Sequence, residues 1–122
     1  MILKEYKNFN EIPRNYRRSI AQMHFKWGGL MIDAFHDKKN VSEIVILIDD
    51  TIDAPVGWYI IWNEDAMFWV KTRYRGKGYG KMLTEHFFNF AKSNKKRAFT
   101  VYDSIGEIAK KFYPSVSNIW TC

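Results

Sequence analysis

The stretch Val70–Leu83, "VKTRYRGKGYGKML", decides the fold of this 122-residue chain. Three glycines in it, Gly76, Gly78 and Gly80, alternate with larger residues. An apolar run, "AMFWV", precedes the stretch, and apolar residues at helical spacing follow it. The sequence therefore predicts a strand, a glycine loop and a helix in that order.

The glycine loop has the features of an anion site. The first amides of a helix lack intrahelical acceptors and carry partial positive charge, so they bind phosphate groups. Glycine lets the backbone approach a ligand closely and adopt positive φ. Arg75, Lys77 and Lys81 add charge, and an arginine can contact a phosphate through two hydrogen bonds. We expect phosphate or pyrophosphate binding; the alternative is a glycine-rich turn with a solvated basic face.

Three common phosphate loops do not fit this spacing. A P-loop needs four residues between its glycines and a hydroxyl after its lysine, whereas Met82 follows Lys81 here. A dinucleotide fingerprint needs a third glycine where Lys81 stands. A kinase glycine loop joins two strands, but a helical pattern follows this one.

The pattern R-G-x-G-x-G after a strand ending in valine resembles the acetyl-CoA signature of the GNAT superfamily of N-acyltransferases. The core pattern of that signature, Gln/Arg-x-x-Gly-x-Gly/Ala, falls on Arg75, Gly78 and Gly80. "PVGWYII" is similar to the family's preceding strand. "EIAKKFYP" is similar to its later helix, in which an alanine precedes a tyrosine by four residues. The resemblance extends over residues 43–113.

The resemblance implies an α+β fold: a mostly antiparallel mixed sheet with helices on both faces and a splayed pair of central strands. We expect residues 1–122 to form a single GNAT-like domain. Apolar periodicity predicts helices at Glu11–Trp27, at "LMIDAFH", after Gly78, and after Ser104, whose spacing to Glu107 is that of a capping box. The predicted strands are Ile2–Tyr6, Ser42–Ile48, Val56–Trp62, Ala66–Val70 and Ala98–Tyr102, with a last short strand in "SVSNIWTC".

The resemblance also implies acetyl-CoA as cosubstrate. The loop amides would bind its pyrophosphate, and its pantetheine arm would lie between the strands Met67–Val70 and Phe99–Tyr102. The acceptor amine would enter from the opposite face. The residues predicted to contact the cosubstrate are Phe68, Trp69, Val70, Arg75, Gly76, Lys77, Gly78, Tyr79, Gly80 and Lys81.

Acyl transfer from a thioester to an amine needs a base for the amine proton and an acid for the leaving thiolate. The family pattern makes Tyr113 the candidate acid. Position alone suggests Glu64 as the base, with Asp65 and Glu43 as alternatives, although such charges are more often solvated. Direct attack needs neither a covalent enzyme intermediate nor a metal, and the single cysteine, at position 122, provides no cysteine-based metal site.

Two departures from the family pattern affect the region after the glycine loop. Gly106 stands where the family often has asparagine, and Pro114 follows Tyr113 where the family has Gly-Phe nearby. They predict a truncated or rearranged C-terminal strand pair. A CoA-binding regulatory or protein-interaction module without turnover is therefore an alternative to an active enzyme.

The acceptor is expected to be an amine on a protein, a peptide or a small molecule. The net charge of +6 also allows acylation of a nucleic-acid base amine. No apolar run approaches the roughly 20 residues of a membrane span, and the N-terminal segment is unlike a secretory signal, so we predict a cytoplasmic protein. A homodimer is a further hypothesis, since a truncated sheet exposes an edge.

Overall fold

The computed structural model describes residues 1–20 and 31–121, and within them one sheet of six strands is accompanied by four α-helices. The strands are β1 (Ile2–Tyr6), β2 (Val41–Asp49), β3 (Ala54–Trp62), β4 (Asp65–Val70), β5 (Phe99–Val101) and β6 (Ile119–Thr121). The helices are α1 (Arg14–Ile20), α2 (Met31–His36), α3 (Tyr79–Ser93) and α4 (Asp103–Phe112). The predicted α+β architecture is confirmed.

The strands lie in the sheet in the order in which they occur in the chain. The pairs from β1 to β4 are antiparallel, whereas β4–β5 and β5–β6 are parallel. Each parallel pair is connected by a helix, α3 or α4, as parallel strands require a long crossover. The glycine loop leads into the first of these crossovers.

Two hydrophobic clusters cover the two faces of the sheet. Alternation along β3 separates them: Tyr59 and Ile61 pack with α3 and α4, while Trp58 and Ile60 pack with α1 and α2. Because both faces of β3 are covered, the strand is buried from Pro55 to Ile61 and reads as a continuous apolar run. We call the two sides of the sheet the α3/α4 face and the α1/α2 face.

Two hydrogen bonds of His86 hold α3 against β1 and β3. The His86 ring accepts or donates at both nitrogens: Nδ1 lies 2.5 Å from the Tyr59 hydroxyl and Nε2 lies 2.6 Å from Glu5 Oε1. Tyr59 is buried in β3, and Glu5 lies on β1. The helix that follows the glycine loop is thereby held at its middle.

The strands β4 and β5 meet at one end only. Their single pair is Asp65 with Thr100, and the Thr100 N–H donates to the carbonyl of Glu64 at 3.0 Å. Beyond Asp65, β4 continues for five residues without pairing to β5, so a V-shaped gap opens towards the glycine loop. This gap is the splayed pair of central strands that the family resemblance implied.

Several predicted boundaries were wrong. The helix predicted from Glu11 begins only at Arg14, because the carbonyl of Pro13 accepts from the amides of Tyr16 and Arg17 and so starts the helix there. A short 3₁₀ turn, Phe9–Glu11, occupies part of the predicted span. The predicted end of this helix, at Trp27, lies outside the described residues. The predicted strand Ala98–Tyr102 shortens to β5, since Tyr102 already caps α4.

The predicted capping box was also wrong. The helix α4 begins at Asp103, its N-cap is Tyr102, and no side-chain hydrogen bond caps it. Ser104 is therefore already a helical residue. The chain turns directly from β5 into the helix, which leaves no room for a separate capping residue at Ser104.

The C-terminal region explains the glycine at position 106. A Cβ on Gly106 would overlap the Thr121 hydroxyl and lie 3.2 Å from Thr121 Cγ2. The last strand, β6, packs directly against α4 at this point and pairs in parallel with β5. A side chain at position 106 would therefore require the Thr121 side chain to move.

None of the helices in the described part of the chain is both long and apolar enough to cross a bilayer.

Candidate active site

A cleft of about 1110 Å³ lies where the gap between β4 and β5 opens. The strand β4 lines it with Phe68, Trp69 and Val70. The loop and α3 contribute Arg75, Gly80, Lys81, Leu83, Thr84 and Glu85. Tyr102 and the α4 region supply the opposite wall with Ser104, Ile105, Ile108, Phe112 and Tyr113. The cleft is therefore apolar inside and basic at the loop.

The glycine loop has the backbone that its sequence predicts. Gly76 and Gly78 have φ of +79° and +86°, which side-chain-bearing residues rarely adopt. A Cβ at either position would meet no atom within 4 Å, so conformation rather than crowding requires these glycines. Their surroundings leave the space beside the loop open.

The N-terminus of α3 is free to bind an anion. Gly78 is its N-cap and has no side chain to accept from the helix amides. The first helical bond beyond the cap runs from the Met82 amide to the Gly78 carbonyl at 3.2 Å. The amides of Tyr79, Gly80 and Lys81 therefore precede the helical hydrogen-bond ladder and carry the positive end of the dipole.

Arg75 connects the loop to the end of β4. Its Nε donates to the Val70 carbonyl at 2.8 Å, and its guanidinium lies 4.8 Å from the centre of the Trp69 ring. The hydrogen bond leaves the remaining guanidinium donors for a ligand. Lys77 is exposed in the loop, and the exposed Lys81 makes a long contact of 3.9 Å with Glu85 Oε1.

Gly57 explains the Val-Gly pair in the strand before the motif. A Cβ there would lie 2.9 Å from the Trp69 carbonyl and 3.1 Å from Leu83 Cδ1. The absence of a side chain lets α3 pack closely over β3 and β4. The position of the loop relative to the gap depends on this close approach.

Tyr113 reaches the cleft from the end of α4. It is the C-cap residue, its amide donates to the Ala109 carbonyl at 2.9 Å, and its ring centre lies 4.4 Å from that of Phe88. Phe88 is fully buried on α3, so the contact joins the two helices that wall the cleft. The half-buried Tyr113 side chain is thus fixed at the wall of the cleft.

Glu64 lies elsewhere. It occupies the turn between β3 and β4 with φ of +67°, and its carboxylate accepts from Arg97 Nε at 2.8 Å and Nη2 at 2.5 Å. It does not belong to the lining of the cleft. A role as base would require the ion pair with Arg97 to open, and the assignment stays a prediction.

The sequence did not single out every residue that the structure brings to the cleft. Tyr102 packs edge-on against Phe68 with ring centres 6.4 Å apart, and burial raises the pKa of its hydroxyl. Ile105, Ile108 and Phe112 recur at the spacing of one apolar face of a helix. The face is divided: Ile105 is buried, whereas Phe112 is 64% exposed at the cleft. Gly76, Lys77 and Gly78 lie in the loop and Tyr79 begins α3, and none of these four residues lines the cleft.

A family model for the acetyltransferase (GNAT) family matches residues 3–116. The chain belongs to the GNAT family. Its activity is therefore acyl transfer, and the acyl group of this family comes from an acyl-CoA cosubstrate. Searches of curated proteins and of solved structures gave no match. The acceptor of this GNAT acyltransferase must therefore be inferred from its own residues.

Proposed function

We propose that this GNAT protein is an N-acetyltransferase that moves an acetyl group from acetyl-CoA to a primary amine by direct attack. One observation carries the proposal. The uncapped N-terminus of α3 and its positive-φ glycines lie next to an apolar cleft that continues into the gap between β4 and β5. A ligand with an anionic group at one end and a long, narrow chain at the other fits this combination.

The shape and charge of the cleft suggest one orientation for bound acetyl-CoA. Its pyrophosphate would lie on the amides of Gly76–Lys81, with Arg75 and Lys81 adding positive charge. Its pantetheine amides would pair with the unpaired edge of β4, along which backbone groups recur about every 3.3 Å. The arm would then run past Phe68 towards Asp65, and the thioester would lie near the closed end of the gap.

The chemistry follows from this placement. The amine nitrogen attacks the thioester carbonyl, a C–N bond forms, and the C–S bond breaks to release the CoA thiolate. The hydroxyl of Tyr113 would protonate the thiolate, since this residue lies on the wall of the cleft. No covalent bond to the enzyme and no metal is needed.

The acceptor is proposed to be an amine on a protein, a peptide or a small molecule. Cytoplasmic location and dimer formation stay predictions. The edge strand β6 is the proposed contact between the two subunits of the dimer, because its Trp120 is 63% exposed. Light scattering at working concentrations tests for the dimer.

Calorimetric titration with acetyl-CoA tests the placement of the pyrophosphate. Gly78→Asp and Gly78→Asn introduce side chains of the same shape at the same positive φ, and asparagine and aspartate both tolerate this backbone. Only the aspartate adds a negative charge beside the phosphates. We expect the Asp variant to bind at least about tenfold more weakly than the Asn variant, which corresponds to ~1.4 kcal/mol. Equal affinities for the two variants would contradict the placement.

Turnover is tested separately. The wild type, acetyl-CoA and a panel of amines are incubated together, and mass spectrometry detects a mass increase of one acetyl group. Binding of acetyl-CoA without acetylation of any amine would favour a CoA-binding module instead.

A further inference from the structure

One side-chain amide joins the C-terminal segment to the end of α3. The Nδ2 atom of Asn118 donates to three backbone carbonyls, those of Ala91 at 2.9 Å, Asn94 at 3.1 Å and Arg97 at 2.9 Å. An amide nitrogen carries two hydrogens, so one of them is shared between two acceptors. Asn118 is half-buried and immediately precedes β6. Its side chain therefore connects segments that lie 21 to 27 positions apart in the sequence.

The three acceptors lie where α3 ends and the chain returns to β5. The last carbonyls of a helix have no amide partner within the helix, and an unpaired carbonyl that is buried is costly. The Asn94 amide donates to the Ala91 carbonyl, and the Arg97 amide donates to the Asn94 carbonyl. Asn118 adds a second donor to each of these two carbonyls and so stabilises the shape of the connection.

The backbone of Asn118 fixes the adjacent strand. Its carbonyl accepts from the Phe99 amide at 2.8 Å, next to the pair Phe99–Ile119 that begins the parallel register of β5 and β6. Three side-chain hydrogen bonds and one backbone hydrogen bond thus determine where residue 118 lies relative to α3 and β5.

A short turn connects this fixed position to Tyr113. Four residues separate Tyr113 from Asn118, and the first of them is Pro114, whose ring restricts φ. The Val116 amide donates back to the Tyr113 carbonyl at 3.0 Å, and the Val116 side chain packs against the cluster on the α3/α4 face. Because the turn has little freedom, a movement of residue 118 would also move Tyr113.

The same stretch of α3 holds both ends of this turn. The Tyr113 ring centre lies 4.4 Å from that of Phe88, and the Asn118 amide donates to the carbonyl of Ala91. Phe88 and Ala91 are both buried and lie three residues apart, which places them on one face of α3. The turn Tyr113–Asn118 is therefore attached to α3 at its beginning by a ring contact and at its end by hydrogen bonds.

We propose that Asn118 is a positioning residue for Tyr113: its amide holds the turn Tyr113–Asn118 against the end of α3 and thereby keeps the Tyr113 side chain at the wall of the cleft. The inference rests on the proposed function, in which the Tyr113 hydroxyl protonates the thiolate. It extends that function to a residue that does not itself line the cleft.

The loss of this amide should affect the rate more than the binding of acetyl-CoA. A displacement of about 1 Å in a reacting group can cost 10²-fold in rate. The glycine loop that is proposed to bind the pyrophosphate precedes the first residue of α3, Tyr79, whereas Asn118 contacts the far end of the helix. We therefore expect a lower kcat with little change in acetyl-CoA affinity.

The kinetic test compares Asn118→Ala with Asn94→Ala. The Asn94 side chain also donates from Nδ2 to a carbonyl of α3, that of Phe90 at 2.7 Å, so its removal is a matched control that leaves the turn attached. With acetyl-CoA and an amine that the wild type acetylates, Asn118→Ala should lower kcat by about tenfold or more. Its KM for acetyl-CoA and the kcat of Asn94→Ala should both stay within roughly threefold of the wild type.

A double variant separates positioning from general destabilisation. Tyr113→Phe has no hydroxyl to place, so the addition of Asn118→Ala should lower its kcat by no more than roughly twofold, since residues that act as a unit are non-additive. Asn118→Gln keeps the amide on a side chain longer by one methylene, and its kcat should lie between those of the wild type and Asn118→Ala. It replaces the alanine variant in both comparisons if the alanine variant does not fold.

A second measurement follows the Tyr113 ring without turnover. Selective ¹³C labelling of the tyrosine rings gives signals from the seven tyrosines, and the signal lost in Tyr113→Phe identifies this residue. Its chemical shift depends on the position of its ring relative to that of Phe88. We expect Asn118→Ala to move this signal, whereas Asn94→Ala should leave it near the wild-type value.

The outcomes separate the two proposals. A wild type that acetylates no amine would overturn the proposed function and the kinetic role of Asn118, and the Tyr113 signal would then decide whether Asn118 positions the ring. In an active wild type, the inference alone is overturned if Asn118→Ala keeps its kcat within threefold, if Asn94→Ala loses as much, or if the losses of Asn118→Ala and Tyr113→Phe are additive. An unchanged Tyr113 signal in Asn118→Ala leads to the same conclusion.

Discussion

Arg97 holds Glu64 through two hydrogen bonds at the point where β4 and β5 meet. Glu64 immediately precedes β4, and Arg97 lies two residues before β5. The hydrogen bonds to Glu64 raise the pKa of the guanidinium, and Nη2 also donates to Ser42 Oγ at 2.8 Å. The pair therefore ties three strands together at the closed end of the gap.

A double-mutant cycle with Glu64→Gln and Arg97→Met tests this connection. The two side chains are partly exposed, so we expect a coupling energy of only about 0.5–1 kcal/mol in the free energy of unfolding from urea titrations. Additive effects of the two changes would show that the pair contributes nothing in solution.

The same variants decide between a positioning role and a base role for Glu64. A base would lose about 10²-fold or more in kcat in Glu64→Gln while Arg97→Met retained its rate. A positioning residue would give similar losses in both variants, and the double variant would be no worse than either one.

Gly106 and Thr121 give a prediction on stability. Alanine is favoured over glycine inside a helix by about 1 kcal/mol, but here its Cβ would overlap the Thr121 hydroxyl. We expect Gly106→Ala to destabilise the wild type by about 1–3 kcal/mol, as overpacking does. In a Thr121→Ala background, which removes the overlapping atoms, the same change should cost less than half as much. Equal costs in the two backgrounds would show that the contact is not made.

The conformation of the glycine loop was predictable because it depends on residues close to one another in the sequence. Positive φ at Gly76 and Gly78, the preceding strand and the following helix all depend on residues within a few positions of each other. The family resemblance then placed the loop beside a splayed strand pair. The helix start at Arg14 was missed because the pattern of apolar spacing runs through Pro13 without showing the break.

The ion pair between Arg97 and Glu64 could not be predicted from local sequence. Arg97 and Glu64 are 33 positions apart, and their contact depends on how α3 returns the chain to β4. Gly106 departs from the family pattern, and the packing of the parallel strand β6 against it supplies the physical reason.

The hydrogen bond between Tyr16 and Asp53 predicts a pH dependence of stability. It raises the pKa of the buried Tyr16 hydroxyl from 10.0 to about 12, with burial as a smaller cause. Between these values the folded protein binds more protons than the unfolded chain, so stability falls as pH rises. The contribution is fully present below pH 10 and is lost as pH approaches 12.

Urea titrations at several pH values between 9 and 12 measure this loss. Tyr16→Phe should show a smaller decrease in the free energy of unfolding over this window, because its ring keeps the packing and cannot ionise. Asp53→Asn, which leaves the tyrosine but removes the carboxylate, should fall between the two. The prediction would be refuted by parallel pH profiles for wild type and Tyr16→Phe.

Activity should also fall as the pH is lowered into the acidic range. Burial raises the pKa of Asp65, so a protein that uses its carboxylate as base loses rate on acidification earlier than an ordinary aspartate would allow. If Asp65 is the base, the acidic limb of the kcat/KM profile for the acceptor amine should therefore disappear in Asp65→Asn. An acidic limb that persists in this variant would assign the titration to another group.

The remaining prediction concerns Tyr113 as the acid. Tyr113→Phe keeps the ring that packs on Phe88 and removes only the hydroxyl. Acid assistance is worth typically 10²–10⁴-fold, or about 3–5 kcal/mol in the barrier, so turnover should fall by that factor while acetyl-CoA binding stays nearly normal. The matched control is Tyr6→Phe, which removes a tyrosine hydroxyl on β1, outside the cleft.

A purely structural Tyr113 would behave differently, and stability separates the two cases. Its hydroxyl could then be removed without loss of rate, whereas Tyr113→Ala would open a cavity beside Phe88 and destabilise the protein by several kcal/mol. Turnover of Tyr113→Phe within about threefold of the wild type would therefore exclude the acid role. The thiolate would then take its proton from water or from the amine itself, and the contribution of Tyr113 would be to hold α4 against α3 at the wall of the cleft.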